Sequence, residues 1–486
     1  MMTSKKLLAE GVSPFGLSHY FGFPNLSFLV FGKLSQFLGG ITLNNFRLVH
    51  GFFGLLIVLL SYLFFRQSLS PFYGLAGAAI LASNHALLGI SRMAMRDNSG
   101  LLLELAALTL LLYGLRRKSR FLSFLGGALA GLTFYVYYPA RITIFLWGLS
   151  LLILLFMKKI SWRSALNIGA VNLLGFIIAA SPILVATTKS PGVLNYQREQ
   201  FLIFPEGQKL EKEWTNIQTT EGAVRKNIVN GLTAFNSKIH DQGYIYPNYG
   251  HGFLDPLTGI LIWIGLIIIL RRREKTGAHI LAVVGFLTIW LVLSLLVTKA
   301  PHYTRLLTVL PFVSYLALFA IKTVFEYLWG LVSKFFSGAL LNFVKNSSVI
   351  VIVIVIVISN LTIFGDFAKQ GLAEGNDVGS TARYVEARKN IPNYKFYLVA
   401  SKEYPYYSWG EAYQWKDWLG FFASESQKVE VLEPENFLNS FDKPPFTIFM
   451  RQSIFRREEA AIKEKYPDFE IHNIKTDGSL VALEIL

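Results

Sequence analysis

The sequence contains no cysteine, which removes a whole set of chemistries. Without thiols the chain has no disulfide framework, no cysteine nucleophile and no cysteine-bound metal. Its eight histidines are scattered, so the sequence predicts no essential metal and no cofactor. It also lacks a Walker-type loop, a Ser-His-Asp signature and an internal repeat. The N-terminal stretch MMTSKKLLAEGVSPFG has no apolar core of the kind that marks a signal peptide.

Charged residues are scarce as well, at 16% of the chain against about 25% in ordinary soluble proteins. Hydrophobic residues make up 53% of the sequence, which is typical of a polytopic membrane protein. The net charge of +15 could indicate a nucleic-acid partner, but the basic residues cluster in short loops between apolar runs. That arrangement follows the positive-inside rule. The sequence therefore predicts lipid as a partner and no nucleic acid.

Apolar runs of roughly the length that crosses a membrane, about 20 residues, recur through most of the chain. They lie near 46–65, 70–90, 99–115, 120–137, 141–157, 165–187, 253–270, 278–298, 304–322 and 348–364. Residues 1–45 are aromatic and glycine-rich, which predicts an amphipathic segment on the outer membrane surface. The interval 46–364 is thus predicted to be an α-helical transmembrane domain of about ten spans.

Hydropathy falls sharply at 365–486, which predicts a small soluble α/β domain. The β-rich runs KFYLVAS, KVEVLEP and FTIFMRQ predict strands, and STARYVEARKNI and SIFRREEAAIKEKY predict helices. The final stretch, FEIHNIKTDGSLVALEIL, predicts a hairpin that turns at Asp477-Gly478.

Basic loops set the expected orientation in a plasma (inner) membrane. Residues 116–120, 158–163 and 271–275 are rich in Arg and Lys and are expected to be cytoplasmic. Alternation then places 91–98, 138–141, the long loop 188–252, 299–303 and the C-terminal domain outside. It also places residues 1–45 outside with no preceding span to translocate them, so the pattern predicts a missing upstream span.

Unusual polar clusters fall on that outer side. A charge that faces lipid costs several kcal/mol, so such groups usually line functional cavities. Arginines bind phosphate bidentately and remain charged. The candidate ligands of a phosphate or pyrophosphate are Arg92, Arg96, Tyr138, Arg141, Tyr196, Arg198, His302 and Arg305, with Asp97 beside them. The alternative is that these arginines and tyrosines are interfacial anchors. Their common position on the outer side of the membrane favours a functional site.

Five segments carry a resemblance to a known family. VSPFGLSHYFGFPNLSFLVFGKL, SRMAMRDNSG, YYPAR, PGVLNYQREQF and APHYTRLLTVLP, in that order among the spans, resemble GT-C glycosyltransferases that use polyprenyl-phosphate sugars. The closer branch contains the protein O-mannosyltransferases and the aminoarabinose transferases of lipid A. The resemblance covers roughly residues 7 to 365. It implies an inverting transfer of one sugar from a lipid phosphate to an acceptor at the outer face.

The resemblance also implies roles for acidic residues. Asp97 matches the family's second acidic motif and would be the catalytic residue that orients the acceptor or a cation. The first acid, the catalytic base, is expected just before KKLLAEGVSPFG, and Glu10 lies too close to SPFG to match it. This departure puts activity of the 486-residue chain in question and agrees with the missing span.

Two other functions stay open at this stage. A transporter or flippase would also place arginines and acids in a membrane cavity, but it would be expected to have discontinuous spans or paired repeats. A catalytically inactive scaffold would account for the missing first acid. The sequence identifies neither the sugar nor the acceptor.

Overall fold

The computed structural model describes most of the membrane region and part of the C-terminal region. The described residues are 2–18, 23–92, 95–236, 251–272, 276–332, 339–370, 381, 384–385, 387–388, 391–392, 394–399, 429–432, 437–439, 444–473 and 480–485. Backbone contacts divide the chain into two compact units, Thr3–Gly371 and Leu372–Leu486. Half of the residues of the predicted helix at 380–391, and the predicted turn at Asp477-Gly478, lie outside the described residues.

The first unit is helical. Its helices are α1 (Met2–Ala9), α2 (Asn25–Phe37), α3 (Leu43–Arg66), α4 (Pro71–Ser83), α5 (His85–Arg92), α6 (Asp97–Arg117), α7 (Arg120–Leu132), α8 (Thr143–Phe156), α9 (Trp162–Thr188), α10 (Pro191–Arg198), α11 (Pro205–Trp214), α12 (Thr220–Thr233), α13 (Pro256–Arg271), α14 (Gly277–Trp290), α15 (Tyr303–Leu306), α16 (Leu310–Val332) and α17 (Ala339–Gln370). Short 3₁₀ turns lie at Thr133–Tyr135, Tyr138–Ile142 and Leu307–Val309, and a π-turn lies at Leu291–Leu295.

Every predicted apolar run lies on a helix, which confirms the helical membrane architecture. Among the described residues, seven helical stretches are long and apolar enough to cross a membrane, or eight if the bent pair α4–α5 is one span. Helix α13 has only 16 residues, and α7 has 13. Two of the ten predicted runs, those on α7 and α13, thus form helices shorter than this criterion requires.

The run at 70–90 is broken, although the sequence showed no discontinuous span. Helices α4 and α5 meet at an angle of 54°. Asn84 lies at the break, and its Oδ1 accepts a hydrogen bond from the Leu87 N–H at 3.0 Å. The His85 N–H donates to Asn360 Oδ1 at 3.1 Å. Two asparagine side chains thus satisfy backbone donors that water would otherwise have to satisfy.

Helices α7 and α9 lie side by side and parallel at very short range. A Cβ atom at Gly127 would lie 2.0 Å from the carbonyl oxygen of Asn172, and one at Gly175 would lie 2.3 Å from that of Phe124. Only glycine permits this approach, in the manner of small-residue helix contacts in membranes. Because the helices are parallel, both begin at the same end of the pair.

The second unit contains a five-stranded sheet. Its strands are β1 (Lys395–Val399), β2 (Val429–Leu432), β3 (Phe446–Arg451), β4 (Glu470–Asn473) and β5 (Leu480–Ile485), in the order β2-β1-β3-β5-β4. Strand β1 is parallel to β2 and β3, and β5 is antiparallel to β3 and β4. Helix α18 (Gln452–Lys465) connects β3 to β4. The predicted α/β character is confirmed.

A single carboxylate organises one face of this sheet. Glu484 accepts hydrogen bonds from Arg388 Nε at 2.8 Å and Nη2 at 2.6 Å. The hydroxyls of Tyr384 and Tyr394 each donate to it at 2.8 Å. These donors, Arg388 first, lower the pKa of Glu484 to about 2. Bidentate, charge-assisted bonds of this kind are among the stronger ones in proteins.

We expect Glu484→Gln to destabilise the second unit by roughly 3 kcal/mol, because it leaves the Arg388 guanidinium partly buried without a counter-charge. Hydrogen–deuterium exchange of the β5 amides in the full chain measures the loss. Glu430→Gln, at an exposed position of β2, is the matched control. Equal protection in both variants would contradict the prediction.

The same contact predicts a pH dependence. The folded-state pKa of Glu484 lies below the ordinary value of 4.5. Its contribution to stability is therefore complete above pH 4.5 and is lost as the pH falls towards 2. Protection of β5 in the unaltered chain should decline through that interval, and Glu484→Gln should flatten the decline.

The fold also allows the orientation to be tested with single cysteines, since the chain has none of its own. Lys159 and Glu221 are both exposed and lie on either side of the 27-residue helix α9. Because one span separates them and the positive-inside rule predicts that the basic loop stays inside, Glu221→Cys should react with an impermeant maleimide on intact cells. Lys159→Cys should react only after permeabilisation. Labelling of both from the same side would refute the topology.

Candidate functional site

A cavity of about 240 Å³ lies at one end of the first unit. Its lining residues are Phe23, Tyr138, Pro139, Arg141, Ile142, Phe145, Val193, Tyr196, Gln197, Gln200, Phe201, Val292 and Leu293. One part of the wall is polar and comes from the 3₁₀ turn Tyr138–Ile142 and from α10. The other lining residues are apolar, and Phe145 among them is 67% exposed on the helix surface. The cavity therefore offers polar and apolar surface to the same ligand.

Arg305 stands directly behind the polar wall. Its side chain is buried, and its guanidinium donates to the Thr298 carbonyl oxygen at 3.1 Å and to Gln200 Oε1. The guanidinium carbon lies 5.6 Å from the ring centroid of Tyr138. Arg305 thus orients two lining side chains and contributes positive potential to the cavity.

Arg141 lies in the wall itself. Its Nη2 donates to the Phe134 carbonyl oxygen at 3.4 Å. Its Nε is buried and has no hydrogen-bond partner in the part of the chain that the structure describes. A buried N–H without a partner costs free energy. Arg141 therefore brings a positive charge to the cavity wall, with one N–H that has no partner among the described residues.

Arg96 lies next to the cavity and contacts Phe23, a lining residue from the N-terminal segment. Its guanidinium carbon lies 3.3 Å from the ring centroid of Phe23, which lines the cavity, and 5.4 Å from that of Tyr137. Arg96 and Arg141 are also close enough for their charges to interact. Three arginines thus surround one space.

Tyr196 occupies the remaining polar wall. It lies on α10, which Pro191 begins at the first helical position, and its ring contacts Phe23 edge to face at 5.8 Å. Burial raises the pKa of Tyr196, and the positive charges of Arg96 and Arg305 oppose that rise. The tyrosine is therefore neutral and presents a hydroxyl beside the two arginines.

Asp97 lies behind this wall rather than in it. It is buried in the first turn of α6. The charge of Asp97 interacts with the nearby hydroxyls of Tyr137 and Tyr138. The Tyr137 hydroxyl is 3.1 Å from Thr304 Oγ1, which is 3.0 Å from His302 Nδ1. The acid is thus next to a buried polar chain that reaches His302. Burial, followed by the charges of Arg305 and Lys299, holds the pKa of His302 well below its ordinary value.

Two predicted site residues lie apart from the cavity. Arg92 is exposed at the end of α5. The Arg198 side chain is 52% exposed and lies 3.6 Å from Glu206 in a surface ion pair. Neither side chain lines the cavity.

Sequence reasoning missed three residues that shape the site. Gln200 lies in the quoted QREQF segment, and Tyr137 precedes the tyrosine that was chosen from YYPAR. Phe23 belongs to the N-terminal segment, which was expected only to lie on the membrane surface. Their aromatic or amide side chains carry no charge and so gave no distinct signal.

A second polar contact positions the segment before Arg305. Glu211 is buried, and it accepts a hydrogen bond from the Lys299 backbone N–H at 2.8 Å and one from Lys226 Nζ at 3.4 Å. Lys299 adopts a left-handed backbone with φ of 55°, which is uncommon for a residue other than glycine. Burial, followed by the charge of Arg305, lowers the pKa of Lys299 to about 8, while Glu211 opposes the shift.

One group of side chains in the described residues could offer three ligand atoms to a metal ion. Glu470, His472 and Glu484 hold theirs within 4.8 Å of one another in the second unit. Glu484 already bonds Arg388 through both oxygens. A cation would have to compete with that guanidinium, so the donor set fits a metal poorly.

Long apolar helices, with one cavity lined by Arg141, define a polytopic membrane protein, and its fold matches the solved structures that follow. The solved structure of ArnT from Cupriavidus metallidurans bound to undecaprenyl phosphate matches with a TM-score of 0.55 and 16% identity, over 99% of this chain and 92% of that one. Its apo structure matches with a TM-score of 0.56 and 15% identity, over 99% and 91%. The predicted fold is thereby confirmed.

The Archaeoglobus fulgidus oligosaccharyltransferase AglB, in complex with an inhibitory peptide and a dolichol-phosphate, matches with a TM-score of 0.53 and 9% identity. The match covers 88% of this chain and 60% of that one, so this chain spans less than two thirds of AglB. No protein-family model matches the sequence, and no curated protein matches it at a significant level.

We expect the Lys299 amine to react with an acylating reagent with half-maximal rate near pH 8, because an amine reacts only when neutral. Peptide mass spectrometry across a pH series measures this. Glu211→Gln removes a charge that raises the Lys299 pKa, so it should move the midpoint lower. Glu213→Gln, an exposed acid on the same helix, should leave it unchanged. A midpoint near the ordinary value of 10.5 would contradict the assignment.

Proposed function

We propose that this protein is a membrane glycosyltransferase that moves a sugar from a polyprenyl-phosphate donor to an acceptor at the outer membrane face. The observation that carries the proposal is the cavity, which the cationic side chain of Arg141 lines together with apolar residues. A lipid phosphate has the same two parts. Guanidinium groups bind phosphate oxyanions with charge-assisted hydrogen bonds.

The solved structures of the same fold support this choice of ligand. One is bound to undecaprenyl phosphate and another to a dolichol-phosphate, both of which are polyprenyl phosphates. In this chain the exposed Phe145 and the lining residues Val292 and Leu293 provide apolar surface for the tail. The phosphate would then lie against Arg141 and Tyr196.

Each charged residue has a role in this proposal. Arg141 contacts the phosphate, while Arg96 and Arg305 stabilise the negative charge that develops on the departing lipid phosphate. Asp97 orients the acceptor hydroxyl or a bound cation by way of the tyrosines beside it. Inverting transfer also needs a general base, and this chain does not match the motif that the resemblance assigns to it. We expect no essential cofactor besides the lipid donor.

A transporter or flippase is the second candidate, and the bend between α4 and α5 is the observation that favours it. The break is occupied by a polar network, however. Asn360 Nδ2 donates to Asp255 Oδ2 at 2.8 Å, and Asp255 Oδ1 accepts from the Thr258 N–H at 3.0 Å. That network ties α5, α13 and α17 together, as a fixed scaffold requires.

Incubation with labelled polyprenyl-phosphate sugars separates the candidates. The enzyme releases the sugar to an acceptor or to water. A flippase moves the lipid across a vesicle bilayer and leaves the glycosidic bond intact. An inactive scaffold does neither. Movement of intact lipid without sugar release would overturn the proposed activity.

Donor binding should depend on Arg141. We expect Arg141→Gln to weaken the binding of a polyprenyl phosphate by about tenfold to a hundredfold, because it removes a charge-assisted hydrogen bond from a buried site. Titration of the purified protein with a photoreactive polyprenyl phosphate measures the change.

Arg198→Gln is the matched control, since Arg198 lies on a neighbouring helix in a surface ion pair. It should bind the lipid within about twofold of the unaltered chain, as expected for an exposed pair that contributes little. Equal binding by both variants would show that the cavity does not hold the phosphate.

A further inference from the structure

A second cavity, of about 320 Å³, lies at the starts of helices α7 and α9. It is lined by Lys118, Ser119, Arg120, Ser123, Arg163, Ser164, Asn167, Ile168 and Val171. Three of these residues are cations and four carry hydroxyl or amide groups. The proposed transfer site uses none of them. Their number in so small a space is unusual for an ordinary loop surface.

The parallel packing of α7 and α9 explains why this cavity attracts anions. Ser119 caps α7, where its side chain accepts from the Leu122 N–H, and Ser161 caps α9, where its side chain accepts from the Ser164 N–H. The two helix N-termini therefore lie together. Each carries a partial positive charge and unpaired backbone N–H groups. Their fields add to those of the three cations.

Ser123 forms the inner wall of this cavity. Its side chain is buried, with 1% exposure, and its hydroxyl faces Gly114 of α6, where an added Cβ would lie 2.6 Å from the Oγ. The groups open to an anion are therefore the exposed lining residues Lys118, Arg120, Arg163 and Asn167.

The surrounding sequence contains nothing to neutralise these cations. No Asp or Glu occurs between Glu104 and Glu199, which covers all of α7, α8 and α9. The neighbouring Arg116 donates to the Gln67 carbonyl oxygen at 2.7 Å and so is engaged elsewhere. The cavity thus has a positive field that no acid of α7, α8 or α9 offsets.

We propose that this cavity binds a phosphate group, supplied by the headgroup of an anionic phospholipid in the cytoplasmic leaflet. Phe121 and Trp162 begin the same two helices and are 68% and 61% exposed. Aromatic residues in such positions anchor at the membrane interface. Basic pockets between transmembrane helices on that side bind anionic headgroups. Free inorganic phosphate would make the same contacts, so an experiment must distinguish it from the lipid headgroup.

The test compares two pairs of basic residues in the full-length protein. Arg120→Gln with Arg163→Gln removes two cations of the cavity. Lys158→Gln with Lys159→Gln removes two exposed cations of the adjoining loop that do not line it. Native mass spectrometry of detergent-purified protein, titrated with phosphatidylglycerol, counts bound lipid. Phosphatidylcholine and inorganic phosphate are the comparison ligands.

We expect the arginine pair to weaken phosphatidylglycerol binding by about tenfold or more and the lysine pair to change it by less than twofold. Asn167→Ala changes an exposed lining residue, so it tests the cavity without threatening the fold, and it should weaken binding several-fold. Displacement of the lipid by millimolar inorganic phosphate would support the phosphate site with a soluble source. Equal losses in the two pairs, or unchanged binding in both Asn167→Ala and the arginine pair, would overturn the proposal.

Discussion

The cost of holding charge and polar backbone away from water governs this structure. A cation within an apolar helix bundle persists only where carbonyl oxygens, amide oxygens or aromatic faces replace its hydration. Arg305 shows the rule most fully, because it is bonded to Thr298 and Gln200 and lies near the ring of Tyr138. Two of its contacts, Gln200 and Tyr138, are also lining residues of the cavity. The contacts that compensate this buried charge therefore also shape the site.

The same cost made much of the fold predictable. Ten apolar runs are visible in the sequence because a bilayer demands long stretches without charge, and each lies on a helix. In the second unit, alternation and β-branched residues predicted the strands at 395–399, 429–432 and 446–451, and the sheet has them. Of the predicted site residues, Tyr138, Arg141 and Tyr196 line one cavity, and Arg305 lies behind its wall. Charge among apolar residues was the signal for the two arginines.

Features that depend on distant partners could not be predicted. The break at Asn84 leaves the His85 backbone N–H without a helical partner. Asn360, which lies 275 residues further along the chain, accepts a hydrogen bond from this N–H. Arg92 and Arg96 looked alike in sequence, yet one is exposed and the other stacks on Phe23. The aromatic partner that distinguishes them comes from a segment with no pattern of its own. Local sequence indicates which residues are costly to bury, but not which partner will compensate them.

The absence of acids between Glu104 and Glu199 links the two ends of the α7–α9 region. Because no carboxylate within these helices can neutralise their cations, the positive charge at each end needs a partner from elsewhere. At one end, Arg141 lines the cavity to which we assign the lipid phosphate. At the other, Arg120 and Arg163 line the cavity at two helix N-termini to which we assign a phospholipid headgroup. An acid placed between them would relieve the local repulsion, but it would also pair with the guanidinium groups. The lack of acidic residues thus leaves the cations at each end open to an external anion, which is the condition that both proposals require.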